Sequence, residues 1–101
     1  MRELAERIQR GRRAIAEAKR RGMDTAEWEA HLKTLFDEAG KEPLGEGVEP
    51  WMLWEWRRQS IPQWRAVLDE SVRAGTKGRE RYARWMLRDV LLDPDYDEAQ
   101  P

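Results

Sequence analysis

Leu4, Ile8, Gly11, Ile15 and Ala18 recur at spacings of 4, 3, 4 and 3, the seam of an amphipathic helix. Gly22 then stands where a helix stops, behind the basic run Lys19-Arg20-Arg21 that suits the negative end of the helix dipole. Asp24 follows as an N-cap with Glu27 three residues on, and Met23 and Trp28 sit at the two positions of a hydrophobic staple. A second amphipathic helix carries Trp28, Leu32, Leu35, Phe36 and Ala39 on one stripe and is expected to end at Gly40. So short a connection forces the two helices to lie side by side and antiparallel. Folding about residue 23 sets Ala18 opposite Trp28, Ile15 opposite Leu32, Gly11 opposite Leu35 or Phe36, and Ile8 opposite Ala39. Gly11 therefore reads as room for a ring, since a helical glycine otherwise costs about 0.5–1 kcal/mol.

The stretch from Gly40 to Pro50 holds three of the seven glycines and two of the five prolines, and no apolar periodicity. It reads as a linker, 41–50, between an N-terminal hairpin in 1–40 and a C-terminal three-helix bundle in 51–93. In the second half, 51–59 reads as a short helix. Ser60 and Gln63 form a Ser-x-x-Gln capping box around Pro62, opening a helix that runs to Gly75. Thr76 to Gly78 reads as a turn, and Tyr82, Trp85, Met86, Leu87, Val90 and Leu91 as the apolar arc of a last helix stopped by Asp93-Pro94. Residues 94–101 form an acidic tail. No strand alternation occurs, so the expected fold is all-α: five helices, a hairpin over about 2–39 joined to a bundle over about 51–92.

Hydrophobic residues at 40% leave enough for a core although charged ones reach 39%. The net charge of −1 conceals four blocks: +5 over residues 1–22, −6 over 23–50, +5 over 51–88 and −5 over 89–101. Alternating blocks of this kind read as faces that neutralise one another within the chain, in contrast to the net basic domain that nucleic acid selects. With no cysteine, no apolar run of about 18 residues and no apolar segment at the N-terminus, the chain is expected in the cytoplasm.

Catalytic chemistry finds little to work with. His31 is the only histidine, four residues after Glu27, and lacks the further nitrogen or sulfur ligands of a metal site. Ser60 and Ser71 have no context that presents them to a base. Asp93-x-Asp95-x-Asp97 opens like a calcium loop, but Glu98 stands where its glycine belongs and the chain ends before the twelfth position. No enzyme, metal or cofactor is expected.

Six tryptophans in 101 residues supply large core area. Trp51, Trp54 and Trp56 cannot all face inward, because 54 and 56 lie about 200° apart on a helix. Beside Arg57, Arg58 and Arg65 they have the composition of a protein-binding anchor. Lys77, Arg81, Arg84 and Arg88, at spacings of 4, 3 and 4, form a stripe opposite the apolar arc that suits phosphates. The first reading is thus a protein-interaction module, a small regulator or inhibitor of a larger protein or nucleoprotein machine. In size and lack of catalytic motifs it resembles phage-type inhibitors of host defence nucleases. The second is a nucleic-acid-binding helical module using the stripe. Self-association is compatible with either.

Overall fold

The computed structural model describes residues 2–41, 47–54 and 59–96, the side chains of Lys41 and Trp54 excepted. It is all-helical, with five α-helices: α1 (Arg2–Arg20), α2 (Ala26–Lys41), α3 (Pro50–Trp54), α4 (Ile61–Ala74) and α5 (Lys77–Trp85), the last continued by a π-helical turn, Met86–Val90. No strand occurs among the described residues. α1 lies against α2 and against the π turn, α2 also meets α3, and α4 packs on α5.

The seam residues of α1 are buried as their period demands, Ala5, Ile8, Ile15 and Ala18 facing inward. The helix closes at Gly22, whose φ of 72° is left-handed. The Gly22 N–H donates to the Lys19 carbonyl and the Met23 N–H to the Ala18 carbonyl, both at 3.0 Å, the paired bonds of a Schellman ending. α4 ends the same way at Gly75, with Thr76 N–H donating to the Ser71 carbonyl at 3.0 Å. At its start, the Ser60 hydroxyl accepts the Gln63 N–H at 3.3 Å and Pro62 occupies the first turn, as the capping box requires.

Several local expectations shift. The Thr25 carbonyl accepts the first bond of α2, from Glu29 at 2.9 Å, so the cap falls one residue after Asp24, whose carboxylate accepts the Ala26 N–H at 3.0 Å. Met23 and Trp28 stand about half exposed, at 53% and 47%. Over Gly11 lies Leu32, whose Cδ1 would come within 3.0 Å of an added Cβ, so the hairpin register differs from the expected pairing with Leu35 or Phe36 and the room serves a methyl group. Gly40 does not end α2. It is buried one residue inside the helix, where the Leu53 side chain of α3 packs so closely that Cδ2 would lie 2.0 Å from any Cβ. α3 spans Pro50–Trp54 and Gln59 is not helical; the part of the expected 51–59 helix at 55–58 lies outside the described residues. Gly78, expected in a turn, is buried inside α5, which starts right after Gly75 and Thr76.

The last helix does not stay α to its end. Leu91 N–H donates to the Met86 carbonyl five residues back at 2.7 Å, and Asp93 N–H to the Leu87 carbonyl at 2.8 Å. Leu92, exposed and with φ of 52°, takes the left-handed position that a glycine fills at the ends of α1 and α4.

One cluster of buried side chains draws on every helix. Its spine is a row of rings: Trp51 on α3 to Trp64 on α4 (centroids 5.7 Å), Trp64 to Tyr82 on α5 (5.6 Å), Tyr82 to Trp85 (5.5 Å), and Trp85 edge-on to Phe36 of α2 (6.5 Å). The Tyr82 hydroxyl donates to the Met52 carbonyl at 3.2 Å, and burial, with the negative Asp37 nearby, pushes its pKa up. The charge blocks meet across this frame. Lys19 pairs with Glu29 at 2.8 Å, Arg79 with Glu49 at 3.5 Å, and Arg65 with Asp93 and Asp95.

Candidate functional site

The expected tryptophan–arginine anchor divides three ways. Trp51 is half-buried, stacked on Trp64, and its indole N–H donates to a Glu49 carboxylate oxygen at 2.8 Å. Trp56, Arg57 and Arg58 lie outside the described residues, as does the side chain of Trp54. Arg65 is engaged within the chain. Its Nε donates to Asp93 Oδ2 at 2.7 Å, its Nη2 donates to Asp93 Oδ1, and Nη2 also reaches Asp95 Oδ2 at 3.1 Å. The Asp93 side chain is buried, so this fork seats the segment after the π turn on α4.

Hydrogen bonding from Arg65, opposed by burial and aided by the Asp95 amide, holds the Asp93 carboxyl below the usual carboxylate range. A carboxyl whose folded pKa lies below the unfolded one stabilises the fold above the unfolded value, about 3.9, and loses that contribution as pH falls through the folded value. Urea unfolding at pH 7 and at pH 3 should therefore show a larger loss of stability in the wild type than in Asp93→Asn. Equal losses would show that the Arg65–Asp93 pair is not coupled to folding.

The stripe on the last helix is partly neutralised by its own helix. Arg84 donates through Nε and Nη2 to Glu80 Oε1 at 3.2 and 3.0 Å, and Arg88 through the same atoms to Asp89 at 3.0 and 2.8 Å. Lys77 lies 3.8 Å from Glu80, and Arg81 is exposed with no ion pair among the described residues. A cleft of about 560 Å³ lies between α4, α5 and the 93–96 segment, and it is lined by both charges: Arg65, Arg73 and Arg84 with Asp69, Asp93 and Asp95.

A second concavity, about 510 Å³, runs along the outer flank of the α1–α2 hairpin. Its floor is Gly11, Ile15, Leu32 and Leu35; Ala14 and Trp28 form its sides, and Arg7, Arg10 and His31 its rim. Trp28 is the largest exposed apolar side chain among the described residues. Neither Arg7 nor Arg10 has an ion pair among the described residues. These residues were not among the sequence-derived binding candidates. Helical period places Trp28 on the stripe of Leu32 and Leu35, but it stands at that stripe's edge, where neither α4 nor α5 covers it.

Among the described residues, no cluster of His, Cys, Asp or Glu has the makings of a metal site, and no helix is long and apolar enough to cross a membrane. No family model, no curated protein and no solved structure matches the chain.

Proposed function

We propose that this chain acts by binding another protein, as a small cytoplasmic regulator or inhibitor of a larger protein or nucleoprotein machine of the phage or mobile-element kind. The α1–α2 hairpin is the recognition unit, and the three-helix group after the linker is its support. The observation that carries this reading is Trp28, an indole left 47% exposed beside an apolar groove in a chain whose buried tryptophans, Trp64 and Trp85, are nearly sealed from water. Tryptophan beside arginine is the composition of interface hot spots. No catalytic step is proposed. The nucleic-acid alternative, along Lys77, Arg81, Arg84 and Arg88, has weaker support, because Arg84 and Arg88 already bond carboxylates of their own segment.

The test is retention of a partner from nuclease-treated extract of cells that carry the target, on wild type, Trp28→Ala, and Lys77→Glu with Arg81→Glu. The expected outcome is a protein held by the wild type and the double variant and lost by Trp28→Ala. Retention that vanishes on nuclease treatment or in the double variant supports nucleic acid instead, and no retention by the wild type overturns the reading.

A further inference from the structure

We infer that the α1–α2 groove takes an acidic amphipathic helix, apolar side chains seated against Trp28 and the floor, carboxylates meeting Arg7 and Arg10. The inference rests on the protein-binding reading above and specifies the partner's chemistry. The floor is built of Ile15, Leu32 and Leu35, with Leu32 lying over Gly11, and Ala14 adds only a methyl group on the α1 side of the groove. From residue 7 to residue 15 the α1 wall runs about 12 Å, two turns of a helix, which fits anchors at i, i+3 or i+4, and i+7.

Charge selects the occupant. Both fully charged groups lining the groove, Arg7 and Arg10, are cations, and neither has a carboxylate partner among the described residues. Elsewhere on the hairpin Lys19 pairs with Glu29 at 2.8 Å and Arg20 and Arg21 with Glu17, while Arg2, Arg12 and Arg13 do not line the groove. Two unpaired guanidinium groups flanking an apolar floor complement a segment with carboxylates beside its apolar stripe. A uniform polyanion fits less well, because the two helices also carry Glu3, Glu6 and Glu17 on α1 and Glu27, Glu29 and Glu38 on α2. A helix sets carboxylates only where the arginines are; a nucleic-acid strand sets a phosphate at every step.

The probes are two synthetic amphipathic helices of about 18 residues with the same leucine stripe. One is flanked by glutamate and the other by lysine, and oligothymidylate serves as the polyanion. The readout is the amide and indole resonances of the full chain. The glutamate-flanked helix should shift the Trp28 indole and the backbone of residues 7–15 and 28–35. It should bind at least about tenfold more tightly than the lysine-flanked one, the ratio that about 1.4 kcal/mol of charge pairing produces. Arg7→Glu with Arg10→Glu should invert the preference while leaving the melting temperature in place, since both side chains are exposed. Equal binding of the two helices overturns the charge assignment and leaves the protein-binding reading standing. Oligothymidylate shifting the same resonances in place of the helices assigns the groove to nucleic acid. No shift at these resonances with either helix overturns the inference, and the retention experiment then decides the broader reading on its own.

Discussion

Replacing Trp64 with alanine should destabilise the protein by about 3–5 kcal/mol, the usual cost of removing a large ring from a closed core. Trp64 is 0% exposed and is the middle ring through which α3 reaches α5, with Trp51 on one side and Tyr82 on the other. Against a total stability of about 5–15 kcal/mol for a domain of this kind, one substitution removes about a fifth or more. Its indole N–H is buried with no hydrogen-bond partner among the described residues, a cost the native fold already carries. Trp64→Phe discards that donor and keeps a ring, so it should lose clearly less than the alanine variant. The measurement is the urea midpoint followed by circular dichroism for the two variants. Equal losses would mean that ring packing is not what Trp64 contributes, and an alanine variant within about 1 kcal/mol of wild type would contradict the placement of the core.

The second large effect is expected at Gly47, just before α3. Its φ of 75° is left-handed, and a Cβ there would stand 2.0 Å from Thr76 Cγ2 and 3.2 Å from Arg79 Cβ. The contact fastens the entry to α3 onto the corner between α4 and α5, next to the Glu49–Arg79 pair. Alanine there costs about 1–2 kcal/mol for the backbone conformation and about 1–3 kcal/mol for overpacking, so Gly47→Ala should destabilise by about 2–5 kcal/mol. Thr76→Ser deletes the nearest methyl group. Combined with Gly47→Ala, it should return the packing share and leave the conformational share, so the double variant loses less than the sum of the singles. Strictly additive losses would show that Gly47 and Thr76 do not touch.

What the chain's residues reveal unaided is mostly local. The two amphipathic helices of the hairpin, the Ser60–Pro62–Gln63 start and the Gly22 and Gly75 endings can all be read because each depends on a few neighbours in sequence. What cannot be read depends on distant partners. Gly40 looks like a terminator until Leu53 is seen lying on it, and Gly11 takes Leu32 where the spacing of the stripes pointed to Leu35 or Phe36. The π turn leaves no mark in the apolar arc, since Met86, Leu87 and Val90 are buried either way. Arg65 reads as a surface anchor until the chain returns Asp93 to it, 28 residues later. The groove escapes for the same reason. Periodicity says that Trp28 belongs to the apolar stripe and is silent on whether any helix covers that edge.

That edge is also where the functional account is most exposed to test. Trp28 is half in water already, so Trp28→Ala should melt within a few degrees of the wild type, in contrast to Trp64→Ala. The decisive measurement is the affinity of the glutamate-flanked helix for this variant. The account predicts a loss of at least tenfold, the scale of a hot-spot ring worth about 1.4 kcal/mol or more. Wild-type affinity in a folded Trp28→Ala protein would contradict it.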